Sequence, residues 1–459
     1  MNNRPMMALA GLALTLSACN LTPVPGSSGL SSGPWTPAAA SSVQIASVTG
    51  GPWTLAQSSA TLAHPLAGYC DTFGAGGKLQ NNTGTRLMQP YYFPLITGSG
   101  QTLDGYFDYR VKDQDEALVH AASSDGGLTW TPDATKLRLN AGVCPSSDAT
   151  PIGNDNGQGH AMTLSIPTAS GSKRLLYTLD RVAGVADSGG LLIHDVTAGA
   201  ATLPDSEPVT VATPVPVGVK QTVGLLNPDG ILGAIPGTGT SATDPLKVLY
   251  LNKPKGSKAA PAAGLDPAKL CVDTQSKPYT TKAANYDRTE LRLASTTDGV
   301  NFTDLGALSG LNDPNDNASL NGFRYVGPRG TVLRYTDGSY GLFFSGGNCQ
   351  DGDSDAYHFI GYAHSKDALN WTVDNGAANP LVQVDYSYPS ALPAAYSTGR
   401  VYSPAVIQNG DGTLKLFYSG YRTGKPLPDT GVATGSPAVT FQGSDPANYR
   451  SILFLTLKR

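Results

Sequence analysis

Carboxylates are the side chains in this chain whose placement could do chemistry. Asp229 lies in the phrase Asn227-Pro228-Asp229, Asp155 in a Gly/Asn-rich stretch, and Glu290 opens the run ELRLAS. Two facing carboxylates can divide acid–base work, one holding a proton while the other accepts one. Glutamate is scarce: Glu116, Glu207 and Glu290 are the only three. Tyr91, His160, Arg329, Tyr402 and Ser403 form a second set, with Gln89 and Asn227 close by. A guanidinium forks onto a carboxylate or bridges hydroxyls, and a phenol ring can stack on an apolar ligand face. The competing reading is that these residues hydrogen-bond to one another and cap strand ends.

These residues belong together because of a repeat. An extended apolar run is followed by an Asp-Gly turn, a second run ending near FYSG, a third ending in Ala-x-Ser, and an aromatic-Thr pair. The clearest copies run from Arg329 to Thr372 and from Ser403 to Leu457. Four short strands per copy is the signature of a β-propeller blade. Five units fit: from Gln89-Pro90-Tyr91 to Trp130-Thr131, from Gly159-His160, from Asn227-Pro228-Asp229, and the two copies just given. The expected fold class is all-β, a five-bladed β-propeller. Its inner strands are apolar on both faces, as strands sandwiched between blades must be. A β-sandwich with unrelated aromatics is the alternative. Aligning the blade starts puts Tyr91, His160, Asp229, Arg329 and Ser403 around one mouth, with Asp155 and Tyr402 nearby.

The fifth unit stops after three strands at Arg459, so an N-terminal strand is expected to close the ring and seal an open edge. Two phrases compete for that role, Gly51-Pro52-Trp53-Thr54 and Gly33-Pro34-Trp35-Thr36. Trp53 is the expected one, because Trp35 falls in a Ser/Gly/Pro-rich stretch. Ser123 to Trp130 matches the Asp-box pattern, resembling the turns of sialidases and many other propellers. Ser295 to Phe302 and Ser365 to Trp371 are degenerate copies. Their aspartates, Asp125, Asp298 and Asp367, are expected to accept backbone N–H bonds within hairpin turns, a structural role.

The phrases DGSYGLFFSGG, DGTLKLFYSGY and IGYAHSKDALNW resemble those of the five-bladed glycoside hydrolases that act on arabinans, xylosides and fructans. The resemblance covers most of the chain from about Thr83 onward. It implies carbohydrate as the partner and three acids around the scissile bond, on the first blade, the second, and the third or fourth. This chain departs from that pattern, with Gln89 and Tyr91 where the first acid belongs. A catalytic pair would combine Asp229 with Asp155 or Glu290, while Arg329, His160 and Tyr402 orient substrate beside Tyr91 and Ser403. Glu116 opens the comparable run EALVHAAS, which weakens a special role for Glu290. A non-catalytic glycan-binding or envelope-assembly protein is the rival function. A sialidase would need an arginine cluster and a Tyr–Glu pair. The tetrapeptide Asn312-Asp313-Pro314-Asn315 repeats one of the fructan hydrolases, but before the fourth blade and without its partner motifs.

The N-terminus reads as an export signal. Residues 1–18 carry Arg4 and an apolar run too short to span a bilayer. Leu16-Ser17-Ala18-Cys19 resembles the lipobox of bacterial lipoproteins, implying cleavage before Cys19, its acylation, and a membrane anchor in the cell envelope. Residues 19–42 are expected to be a flexible tether and 43–459 the propeller. Net charge is −4 with 14% charged residues and no basic cluster, which argues against nucleic acid as a partner. Cys70, Cys144, Cys271 and Cys349 permit two disulfides in three connectivities; sequence proximity favours Cys70–Cys144 and Cys271–Cys349. No cofactor is expected and no metal. Asp351-x-Asp353-x-Asp355 has calcium-like spacing but lacks the glycine and twelfth-position acid of a calcium loop.

Overall fold

The computed structural model describes residues 34–38, 44–45, 47–48, 53–54, 87–88, 91–109, 117–132, 161–179, 190–198, 220–253, 258–259, 286–287, 290–312, 325–347, 359–376, 379–383, 400–421 and 450–459. Among them there is no helix. Five antiparallel sheets form the blades of a β-propeller. Blade 1 is Tyr91–Ser99, Thr102–Tyr109, Ala117–Ser123 and Thr129–Pro132. Blade 2 is Met162–Thr168, Gly171–Leu179, Leu191–Asp195 and Lys220–Gln221. Blade 3 is Pro228–Ala234, Leu246–Asn252, Glu290–Thr296 and Thr303–Ala307. Blade 4 is Tyr325–Arg334, Tyr340–Gly347, Phe359–Ser365 and Trp371–Asn375. Blade 5 supplies Arg400–Gln408, Leu414–Tyr421 and Arg450–Lys458 from the C-terminal region.

Burial follows radial position. Six of the seven residues of Pro228–Ala234 are buried, because an inner strand has a neighbouring blade on each face. The outer strand Thr303–Ala307 alternates between exposed and half-buried instead. The core is therefore laminated between blades. Leu249, Leu293 and Trp371 share one cluster between blades 3 and 4, and Phe343, Tyr362, Leu416 and Leu455 another between blades 4 and 5.

In blades 1, 3 and 4 an aromatic at the start of the outer strand wedges the blade into its predecessor. Trp130 lies edge-on to Phe417 of blade 5 at 6.3 Å, and Phe302 meets Tyr177 of blade 2 at 6.3 Å. Trp371 packs with the blade 3 leucines. A tight aspartate turn sets each wedge. Gly127 N–H donates to Ser123 Oγ at 2.8 Å and Thr129 N–H to Asp125 Oδ1 at 2.9 Å. Gly299 with Thr296, and Val300 and Asn301 with Asp298, repeat the pattern, as do Ala368 with Ser365, and Leu369 and Asn370 with Asp367. Burial opposes ionisation of Asp125, but the hydrogen bonds from Thr129 and Ser123 outweigh it and hold the carboxyl down to about 2.

A parallel backbone clasp joins the segment after one outer strand to the aspartate turn of the next blade. Val223 N–H donates to Val300 O and Phe302 N–H to Val223 O, both at 2.8 Å. Ser309 exchanges the same pair with Leu369 and Trp371, both at 3.0 Å. A glycine in the left-handed region follows each clasp. A Cβ on Gly224 would sit 2.0 Å from Phe302 O, and one on Gly310 2.0 Å from Trp371 O.

The N-terminal segment closes the ring and corrects two expectations. Thr36–Pro37 pairs with Lys458 and Leu457, and Gln44–Ile45 with Phe454 and Leu453. Ser47–Val48 then runs parallel to Thr129–Trp130, which repeats the clasp at the seam from blade 5 to blade 1. Trp35 is the wedge, 1% exposed and 6.4 Å from Phe343; its backbone N–H donates to Asn375 Oδ1 at 3.1 Å. Trp53, the expected closer, pairs instead with Met88. Trp35 to Pro37 thus belongs to blade 5 and not to the tether assigned to residues 19–42. The two phrases are alike locally; only the long-range register with Leu457 and Lys458 separates them.

Candidate functional site

At the end of the ring where the inner strands begin, four of the five ladders break among the described residues. In blade 1 the register jumps from Tyr92 to Leu95, in blade 4 from Val326 to Gly330, and in blade 5 from Tyr402 to Ala405. In blade 3 it breaks from Pro228 to Gly230 and again from Ile231 to Gly233. Each first break contains or adjoins a proline: Pro94, Pro228, Pro328 or Pro404. Proline cannot donate to a ladder and is tolerated at bulges, where a strand re-aims its side chains. The extra residues include Asp229, Arg329 and Ser403. In blade 2 the ladder from Met162 to Thr168 is continuous.

Blades 3 and 5 also carry backbone strain at this point. Asn227 has φ +37° and Ser403 φ +49°, each just before its proline. A non-glycine residue in the left-handed region costs roughly 1–3 kcal/mol and persists only where the surroundings enforce it. Blade 4 helps to hold blade 5 in place. Ser403 N–H donates to Ser345 Oγ at 3.3 Å, and Thr331 Oγ1 donates to Pro404 O at 3.0 Å while accepting from Val406 N–H at 3.1 Å.

Behind Asp229 lies a polar network. Pro228 pairs with Asn252, and Asn252 with Glu290, so the bulge, the end of the second strand and the start of the third share one end of the sheet. Asn252 Nδ2 donates to Glu290 Oε2 at 3.1 Å, and Arg292 Nη1 reaches the same oxygen at 2.6 Å. Arg292 Nη2 and Nε fork onto Asp304 at 2.6 and 2.9 Å, and Tyr250 Oη donates to Asp304 Oδ1 at 2.8 Å. The hydrogen bond from Arg292 leads in holding the Asp304 carboxyl below the usual carboxylate range, while that to Asp304 leads in raising the Arg292 guanidinium.

Of the residues named from sequence, Asp229 is 9% exposed and Glu290 half-buried at the same end of blade 3. Arg329 and Ser403 are buried in neighbouring bulges, at 1% and 0% exposure. Tyr91 and Tyr402 lie on the inner strands of blades 1 and 5, paired with Tyr109 and Ser419. Asp155, His160, Cys19, the other four cysteines and the acidic run from Asp351 to Asp355 lie outside the described residues. Asn312 is a tie within blade 3: its amide donates to Leu291 O and Leu308 O at 2.7 and 2.8 Å, and its carbonyl accepts from Leu291 N–H.

Sequence reasoning missed Asn252, Arg292 and Asp304. The alternation in ELRLAS was a usable signal, since it puts Glu290 and Arg292 on one face of a strand. Among the described residues no group of three or more His, Cys, Asp or Glu could hold a metal ion. Two acid–imidazole contacts stand elsewhere, His120 with Asp104 at the seam to Arg174 of blade 2, and His364 with Asp374 at 2.6 Å.

By its sheet order the protein is a five-bladed β-propeller. No family model matches the chain, and no curated protein does. Solved structures similar to it include an N-acetylgalactosamine deacetylase from F. plautii in complex with blood group B trisaccharide (12% identity, 82% of this chain and 90% of that one, TM-score 0.43). Others are an alpha-L-arabinofuranosidase from Podospora anserina in complex with cellotriose (11%, 81% and 92%, 0.40) and a GH43_1 enzyme from Xanthomonas citri complexed with xylose (12%, 80% and 87%, 0.36). At such identities and scores these likenesses carry no argument about the chemistry of this chain.

Proposed function

We propose that the protein is an exported, lipid-anchored propeller that binds carbohydrate at its central mouth and hydrolyses glycosides with a carboxylate pair drawn from Asp229, Asp155 and Glu290. The observation that supports this most is the series of broken ladders. Three successive blades interrupt their inner strands at the same end, and the residues within the breaks are an acid, a guanidinium and a strained serine. Strain of this kind clusters at binding and catalytic sites. In this reading Arg329, His160 and Tyr402 orient the sugar, with Tyr91 and Ser403 completing the wall. One carboxyl protonates the departing glycosidic oxygen. The other takes a proton from water or attacks the anomeric carbon. Carboxyls about 5–5.5 Å apart imply retention of configuration, and about 6.5–9.5 Å inversion.

A second reading, a glycan-binding or envelope-assembly protein without catalysis, is favoured by blade 1. Its bulge carries Phe93 and Pro94, and no acid. We read the aspartate turns as Asp boxes, whose role is structural. Cys19 is the proposed lipidation site; Cys19→Ala should abolish palmitate incorporation and release the protein from membranes. The functional test is sugar release from arabinans, xylans, fructans, mannans and sialosides. Release that disappears in Asp229→Asn supports hydrolysis. Binding of a glycan without release supports the second reading.

A further inference from the structure

We infer that Arg292 is a positioning residue that fixes Glu290 as the proton- or hydroxyl-accepting carboxylate of the site. The inference rests on the carbohydrate-cleaving reading above and assigns a direction to one member of its pair. Glu290 and Arg292 are two residues apart on one strand and so share a face. Arg292 Nη1 and Asn252 Nδ2 both donate to Glu290 Oε2, at 2.6 and 3.1 Å. Both donors fall on one oxygen, so the other, Oε1, is the one left to meet water or a sugar hydroxyl.

The guanidinium cannot easily leave. Its other edge forks onto both oxygens of Asp304, at 2.6 and 2.9 Å, and bidentate pairing of this kind fixes orientation as well as charge. Asp304 is itself held by the Tyr250 hydroxyl, whose oxygen accepts the Leu226 N–H at 3.3 Å. The Arg292 side chain is only 16% exposed. A staple that merely joined strands within blade 3 would need the fork to Asp304 alone. The further reach to Glu290, at the end of the sheet where Asp229 bulges, is what a positioning role requires. Glu290 Oε1 is then directed by the bonds to Oε2 and can take a proton from water or accept a sugar hydroxyl, while the proton for the leaving group comes from another acid.

The test uses the purified protein labelled with carboxyl-¹³C glutamate. The chain has three glutamates, so the spectrum is simple, and Glu290→Gln assigns the signal. Arg292→Met should displace the Glu290 resonance and cut kcat on the polysaccharide that the wild type cleaves by about 30-fold or more, with KM changed by less than about 3-fold. Arg292→Lys should recover part of kcat, since an ammonium makes the bond to Glu290 but cannot also fork onto Asp304. Asp304→Asn, which keeps the shape of the clamp, covers the case in which Arg292→Met fails to fold, and should lower kcat in the same sense. A wild type that cleaves its polysaccharide while the Arg292 and Asp304 variants keep kcat, or lose kcat and KM only in step with stability, overturns the inference and leaves the hydrolytic reading standing. A folded wild type that cleaves none of the polysaccharides overturns that reading, and the inference with it.

Discussion

The rim and the mouth are built from the same repeat and differ in how their polar groups are treated. At the rim, three turns seat Asp125, Asp298 and Asp367 on backbone N–H groups, four residues on in the first turn and two and three residues on in the other two. Every copy is satisfied locally, and an aromatic wedge lies beside it. At the mouth the copies diverge. One blade presents Asp229, the next Arg329, the next Ser403 at +49° with an Oγ that meets no partner. Buried polar groups are normally hydrogen-bonded, so such an exception asks for an explanation. Repetition that is kept marks what holds the ring together, and repetition that is broken marks where the proposed site is placed.

Substitutions should therefore act in opposite senses at the two places. The largest effects belong to the wedges: Trp371→Ala and Trp35→Ala should each cost about 3–5 kcal/mol in denaturant unfolding. Loss at Trp35 would also confirm which N-terminal phrase seals the ring. Next comes the clasp. Gly310→Ala sets a Cβ against Trp371 O and should cost about 1–3 kcal/mol through backbone strain.

Acid should dissect the contrast further. Burial depresses His194 to about 4. The unfolded chain therefore binds that proton first, and stability falls as pH drops from about 6.5 to about 4; His194→Phe should flatten this limb. The rim carboxylates act lower. Asp125 contributes stability above the ordinary 3.8 that is lost as pH falls through about 2, so Asp125→Asn should reduce the slope only in that range. The smallest effect has the opposite sign. Ser403→Gly removes a strained φ and an unpartnered hydroxyl, and should stabilise by about 1 kcal/mol while weakening glycan binding. Destabilisation there would make the mouth an ordinary piece of scaffold.

Much of the fold was legible because blades repeat. The DG turns and the phrases ending in FFSGG and FYSGY report local hairpins, and local signals survive in a single sequence. Ring closure was half legible: a missing strand could be inferred, but Trp35 and Trp53 have the same neighbours, and the choice between them rests on pairing with residues about 400 positions away. The bulges were overlooked for a similar reason, since register belongs to two strands at once. Pro94, Pro228, Pro328 and Pro404 were the available clue. The clamp behind Glu290 depends on Asp304 one strand away and Asn252 on the opposite neighbour, which no spacing rule joins.

The most direct test of the account is glycan binding and sugar release by the wild type, Asp229→Asn and Asp125→Asn, each with its unfolding curve. The account predicts that Asp229→Asn loses release in a folded protein, and that Asp125→Asn keeps release while losing stability above the ordinary 3.8 and the acid slope down to about 2. Release unaffected by Asp229→Asn, or no carbohydrate bound by a folded wild type, would contradict it.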